Sequence, residues 1–150
     1  MPEKLKQPEW APDFGNREMH PTAGIMAIGA RKCLVAFNVN LKTDDVEIAK
    51  KIAKQIRERD GGFKDVKAMG FMLEDKNIAQ VSMNLCDYTV SGMHVVFDEI
   101  SRLAKEYGTE VLESELVGTA PAKAMLDVAE HYLKLADYDA FNQTMEYKLI

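Results

Sequence analysis

Cysteine is scarce in this chain of 150 residues: only Cys33 and Cys86 are present. They lack the paired CxxC spacing of a zinc or redox site and fall far below the density of a secreted disulfide scaffold, so reduced thiols in a cytoplasmic protein are expected. Basic charge is short as well. Nineteen Lys and Arg stand against 24 Asp and Glu, a net charge of −5, so no uniformly basic face can neutralise a row of phosphates and nucleic acid is not an expected partner. No apolar run approaches the ~18 residues of a membrane span. The opening MPEKLKQPEW also lacks the basic-then-apolar order of a secretory signal. GxSxG, HExxH, P-loop and dinucleotide fingerprints are all missing, and Gly24 and Gly29 in TAGIMAIGA are too loosely spaced to cradle a phosphate. Generic motifs therefore yield neither a catalytic residue nor a metal site.

What the sequence does contain is uneven. Four of its five prolines, Pro2, Pro8, Pro12 and Pro21, fall in the first 24 residues, with Trp10, Phe14, Gly15 and Gly24 between them. Such spacing cannot carry a long helix or a central strand, so residues 1–30 read as a proline-rich arm anchored by aromatic rings. Residues 31–150 read as a folded domain. Arg31 to Leu41 alternates with period two, as a strand does. Asp44 with Glu47 makes a capping box for a helix whose stripe is Val46, Ala49, Ile52, Ala53 and Ile56, stopped by Gly61 and Gly62. Val66 to Leu73 and Ile78 to Leu85 are strands joined by a polar turn. Ser91 is the expected cap of a helix from Met93 to Tyr107, and Glu110 to Val117 is a further strand. A helix from Lys123 to Leu135 follows, with Met125, Val128, Ala129, Tyr132 and Leu135 on its apolar stripe, and Met145 to Ile150 reads as a last edge strand. The order βαββαβ predicts an α+β, ferredoxin-like antiparallel sheet with helices on one face, plus a C-terminal helix and the N-terminal irregular arm.

Alternation in the first and third strands turns Val35, Phe37, Val39, Ala79, Val81, Met83 and Leu85 toward the helices. Asn38, Asn40, Gln80, Ser82 and Asn84 then share the opposite face with Leu34, Ala36 and Ile78. That mixture is too polar for a dry core and too apolar for plain solvent; a ligand or a second protein layer meeting it is one reading, a solvated face the other. None of the three histidines has metal-ligand spacing. His94 reads as a partly buried helix residue, His131 as exposed, and His20 as a loop residue in MHPTAG. The acid pairs Asp44 with Asp45 and Glu113 with Glu115 read as structural or solvated, and the charged run from Lys50 to Arg59 as an exposed helix face.

Four ordered blocks carry a more specific signal: WAPDFG (Trp10 to Gly15), IGARKCLVAFNVNL (Ile28 to Leu41), VKAMGFMLEDKNIAQVSMNL (Val66 to Leu85) and SELVGTAPAKAMLD (Ser114 to Asp127). In this order they resemble the glutamate formimidoyltransferase family, from about Leu5 to Asp127, with a weaker echo from Ala140 to Leu149. The resemblance implies transfer of a formimidoyl group from N-formimidoylglutamate to tetrahydrofolate, a step of one-carbon metabolism in histidine degradation. It also implies a transferase unit of two α/β subdomains with a ligand tunnel between them. This chain resembles the second subdomain plus the closing segment of the first. The family's catalytic histidine, in a His-Pro-Arg motif of the first subdomain, is matched by none of His20, His94 or His131, so no catalytic residue is assigned. The folate-contacting segment carries over as Gly15, Asn16, Arg17, Glu18, Met19, His20, Pro21, Thr22, Ala23 and Gly24, with Arg17, Arg31 and Lys32 as candidate cations for the folate carboxylates. The expected partners are folate, N-formimidoylglutamate and an N-terminal subdomain supplied by another chain, or a second copy of this one. The competing expectations are a non-catalytic module that dimerises through its open sheet face and, more distantly, a small-molecule sensor domain.

Overall fold

Val35–Leu41, the first strand (β1), is paired on both sides and so sits inside the sheet of this computed structural model, which describes residues 3–148. Val66–Leu73 (β2), Ile78–Leu85 (β3) and Val111–Val117 (β4) complete it in the order β2-β3-β1-β4, with every pairing antiparallel. Strand β3 enters between β1 and β2, which is the split arrangement that the βαββαβ order predicts. The tight register, with Phe37 opposite Met83 and Ala68 opposite Met83 in turn, brings the alternating apolar positions of three strands onto one face. There Val35, Val39, Val66, Val81 and Leu85 are fully buried with Ile52 and Ile56 of the first helix, α1 (Val46–Ile56), and Val96, Ile100 and Leu103 of the second, α2 (Met93–Glu106).

The expected first strand is four residues too long at its start: Val35 meets Leu85, the last residue of β3, so the backbone before it has no ladder to join. The cap of α1 is Asp45 rather than Asp44; its side chain accepts from Glu47 N at 2.9 Å, while Thr43 Oγ1 accepts from Asp45 N. The cap expected of Ser91 belongs to Gly92, because the buried Ser91 hydroxyl donates instead to Lys64 O at 2.7 Å. After Ile56 the chain leaves α1 for a 3-10 turn, Glu58–Asp60, and Gly61 closes it with φ +93°.

Ala122–Leu133 forms α3, which packs against α2. Its expected stripe is largely unburied: Val128 is partly buried, whereas Met125, Tyr132 and, beyond the end of the helix, Leu135 are exposed, and the buried residue is Ala124, outside that stripe. The edge strand expected from Met145 onward is not formed. Asp139 instead caps a short helix, α4 (Ala140–Gln143), by accepting from the backbone N–H of Phe141 and Asn142, and Met145–Lys148 is a 3-10 turn. The last two residues of that expected strand lie outside the described residues.

The chain divides into two units, residues 1–30 and 31–150. In the first, Lys4–Lys6 and Pro8–Trp10 are 3-10 turns and the Lys4 ammonium lies 4.5 Å from the centre of the Trp10 ring. Phe14, expected to be an anchor, is 94% exposed.

Candidate functional site

Residues 15–24 contain one ordered loop. His20 and Gly24 exchange two backbone hydrogen bonds, at 3.2 and 3.0 Å, and Gly24 closes the turn at φ +71°, where a side chain would be strained. The His20 ring is drawn into this loop: its Nδ1 accepts from the backbone N–H of Thr22 at 3.3 Å and of Ala23 at 3.1 Å, and lies 3.3 Å from Thr22 Oγ1. An accepting Nδ1 places the proton of the neutral ring on Nε2, which is then a hydrogen-bond donor. Of the ten residues expected to contact folate, the structure therefore brings together His20, Pro21, Thr22, Ala23 and Gly24. Gly15, at φ +92°, turns the chain at the other end of the segment. Among the described residues the side chains of Asn16, Arg17 and Glu18 make no hydrogen bond or ion pair, and Met19 is exposed.

Of the three candidate cations, Lys32 is committed. It pairs with Asp87, a carboxylate only 5% exposed, which also accepts from Thr89 Oγ1 at 2.6 Å and Thr89 N at 3.1 Å. The Lys32 ammonium and then Thr89 hold the Asp87 carboxyl below its ordinary range, and the same contact raises Lys32. A lysine engaged this way anchors the start of the domain. Arg31 donates to Lys32 O at 3.2 Å.

The polar face of the sheet is more organised than alternation alone could show. Asn40 stands between Gln80 and Glu113 in the register. Gln80 Nε2 donates to Asn40 Oδ1 at 2.8 Å, and Asn40 Nδ2 donates to Glu113 Oε1 at 2.9 Å. Lys76 lies 3.6 Å from the same carboxylate, and in the next row Asn38 Nδ2 donates to Glu115 at 3.2 Å. At 2% and 6% exposure, Asn40 and Gln80 are buried amides whose orientation is fixed by this one-way chain of donors. Glu113 is the acceptor of that chain and Glu115 of the Asn38 row, which is the structural of the two roles, structural or solvated, that the sequence left open for them.

Beside these rows lies a groove of about 770 Å³ lined by Arg57, Glu58 and Arg59, by Lys67, Met69 and Phe71 of β2, and by Ser82 and Asn84 of β3. Its volume falls within the ~300–1,000 Å³ of small-molecule sites. Met69 and Phe71 expose 59% and 44% of their surface there, offering flat apolar area next to amide, hydroxyl and cationic groups. Arg57 is bound to Asp60, whose carboxyl it holds below its ordinary range, whereas Arg59 reaches Asp60 only at 3.7 Å. Arg59 and Lys67 are thus the cations of the groove with the least to give up on binding an anion. Sequence reading missed Arg59 by treating Lys50 to Arg59 as one helix face, although the apolar stripe ends at Ile56 and that end is the signal that the following charges belong to a different surface; Lys67 was read only as part of the Val66 to Leu73 strand.

Two histidines read separately in the sequence meet across α2 and α3. The rings of His94 and His131 are 4.7 Å apart, His131 Nε2 lies 2.9 Å from Asp98 Oδ2, and Tyr132 donates to Asp98 Oδ1 at 2.8 Å. Burial and then the Asp98 contact push the Tyr132 phenol up to about 12. Among the described residues no group of three or more His, Cys, Asp and Glu is placed to hold a metal ion, and no helix is long and apolar enough to cross a membrane.

Residues 36–150 match the family model described as Formiminotransferase domain. The chain is 53% identical over 150 residues to a glutamate formimidoyltransferase of Streptococcus pyogenes serotype M1, a match covering 100% of this chain and 50% of that protein. A glutamate formimidoyltransferase of Thermoplasma acidophilum is 44% identical over 140 residues, covering 93% of this chain and 46% of the relative. The formimidoyltransferase-cyclodeaminase of Sus scrofa is 49% identical over 138 residues, covering 88% of this chain and 25% of the relative. The chain therefore spans about half the length of the first two relatives and a quarter of the third.

Proposed function

The chain belongs to the formiminotransferase domain family, and from that premise we propose that it is the folate-positioning part of a glutamate formimidoyltransferase. The reaction is transfer of the formimidoyl group of N-formimidoylglutamate to tetrahydrofolate, in cytoplasmic histidine degradation. N5 of the folate attacks the formimidoyl carbon, the bond from that carbon to the glutamate nitrogen breaks, and glutamate leaves as its amine after taking up a proton while N5 gives one up. The proton transfers belong to a histidine of the family's first subdomain, and the part played by this chain is to hold the folate so that N5 is aligned.

The observation that supports this reading best is the groove beside the amide–carboxylate rows. A pterin needs flat apolar contact together with donors and acceptors, and Met69, Phe71, Ser82 and Asn84 supply that mixture. The glutamate tail of folate needs cations, for which Arg59 and Lys67 are placed. Separately, in the first unit, residues 15–24 are proposed as a folate-contacting segment in their own right, with the His20 Nε2–H as a donor and Arg17 as the cation.

Calorimetric titration with folinic acid tests the proposal. Binding is expected, weakened at least tenfold when Arg59 and Lys67 are both replaced by alanine, a loss of about 1.4 kcal/mol or more. Absence of heat up to about 1 mM ligand, which corresponds to an affinity weaker than about −4.1 kcal/mol, would overturn it. An Arg17→Ala variant with wild-type affinity would remove Arg17 from the folate-contacting residues proposed in the first unit.

A further inference from the structure

Register divides the polar face into three rows, each crossing the four strands from β2 to β4. Phe71, Gln80, Asn40 and Glu113 form the first, Met69, Ser82, Asn38 and Glu115 the second, and Lys67, Asn84, Ala36 and Val117 the third. Three strand spacings separate the ends of a row, about 14 Å. The rows differ in what they leave unsatisfied. In the first, Gln80 donates to Asn40, Asn40 donates to Glu113, and Lys76 stands 3.6 Å from that carboxylate, so its polar groups serve one another. The third begins with a cation, Lys67, and ends on the apolar Ala36 and Val117.

The second row is the one with capacity to spare. It starts at the exposed Met69 in the groove, passes the half-buried Ser82 and Asn38, and ends at the exposed Glu115. Glu115 Oε2 accepts from Asn38 at 3.2 Å, which draws the carboxylate back over β1. Among the described residues Oε1 accepts no hydrogen bond, and no cation is paired with Glu115. The face is therefore polarised along this row: Arg59 and Lys67 stand at its β2 end, and an uncompensated carboxylate at its β4 end.

A carboxylate oxygen carries more than one lone pair, so Glu115 can take two adjacent N–H donors while still holding Asn38. The pterin of folate presents such a pair, N3–H and the 2-amino group, at the end of the molecule remote from the glutamate carboxylates. Laid along β2 instead, the same ligand would leave those donors over Met69 and Phe71, which accept nothing. We infer that folate lies across the strands along the second row, with Glu115 receiving the pterin N3–H and 2-amino group while Arg59 and Lys67 take the tail carboxylates, an arrangement that rests on the folate reading given above. Glu115 is then a specificity-determining residue. Its charge favours a ring edge made of donors and opposes one made of acceptors, which the cations at the other end cannot do.

A cycle that changes ligand and protein in turn reads the contact. Calorimetry compares folinic acid with an analogue carrying methyl in place of the pterin 2-amino group, on the parent and on Glu115→Gln, with circular dichroism checking the fold of the variant. The parent should bind the analogue roughly tenfold or more weakly than folinic acid. Glu115→Gln should lose a similar factor for folinic acid and most of the discrimination between the two ligands. Arg59→Ala should weaken both ligands alike and keep the discrimination of the parent. The inference alone is overturned, with the folate reading intact, if the parent binds both ligands equally, if Glu115→Gln binds folinic acid as the parent does, or if that variant discriminates as strongly as the parent. It falls together with the folate reading if the parent binds no folinic acid.

Discussion

Gly70 lies in the middle of β2, where glycine is ordinarily a weakness, and its place is explained by α1. A Cβ at Gly70 would stand 2.4 Å from Lys50 N and 2.6 Å from Ala49 C, so the helix backbone rests directly on the strand. Gly→Ala in a strand normally gains about 0.5–1 kcal/mol. Here the added methyl must push α1 outward, and Gly70→Ala is expected to lose about 1–3 kcal/mol, as overpacked sites do. Urea denaturation gives the sign, and a midpoint equal to or above the parent's would refute the close approach. Asn40 is the other residue whose identity the structure explains. It accepts from Gln80 and donates to Glu113 while 2% exposed, so Asn40→Ala strands two polar partners and should cost about 1–3 kcal/mol. Asn40→Asp should cost more, because an acceptor then faces the Glu113 carboxylate; equal stability of the two variants would show that the amide's donor is unimportant. Alternation in the sequence placed Asn40 and Gln80 on the polar face, but it could not reveal the acceptor, which lies 73 residues further along on β4.

Helices α2 and α3 show where local pattern stops being sufficient. The stripe of α2 is read directly from Val96, Ile100, Leu103 and Ala104, all buried, because a sheet lies beneath it. The stripe of α3 packs, among the described residues, chiefly against α2 rather than over the sheet, and Met125 and Tyr132 stay exposed. Strands and helices up to Val117 were legible because each is a short segment whose period matches the layer it joins. Caps were displaced by a residue where a neighbouring polar group competed, as Lys64 O does for Ser91. What fastens α3 to α2 includes the cluster of His94, His131, Asp98 and Tyr132. Among the described residues His94 Nδ1 is buried without a hydrogen-bond partner, and burial, then His131, lowers its pKa from the ordinary 6.5; Asp98 on α2 and Asp127 and Glu130 on α3 act in the opposite direction. Because the folded state disfavours the charged ring, the contribution of His94 to stability is complete above about pH 6.5 and is lost as pH falls below it. Acidification from pH 7.5 to 5.5 should therefore lower the melting temperature less in His94→Gln than in the parent. Parallel loss in the two proteins would show that the His94 ring is not the group being charged.

The chain as a whole carries a net charge of −5, and the ligand proposed for it is an anion, so attraction must come from a few placed cations rather than from the overall field. Arg59 and Lys67 in the groove are such cations, and folinic acid affinity should fall as ionic strength rises past the point where the Debye length drops below about 10 Å. The polar rows beside that groove belong to a sheet whose other face alone carries α1 and α2, and the chain spans only half of the Streptococcus pyogenes relative. A pocket completed by the other half would convert part of the folate's exposed surface into buried contact and hold the ligand in one orientation, which reduces the ordering cost of binding. Adding the unmatched half of that relative as a separate polypeptide should therefore raise folinic acid affinity at least tenfold, about 1.4 kcal/mol. The gain should depend on the groove. Met69→Lys, which places a long charged chain on the floor of the groove, should abolish it while circular dichroism shows the fold intact. Affinity that is identical with and without the added half would mean that the groove binds folate alone. A gain that survives Met69→Lys would mean that the two halves build their site elsewhere.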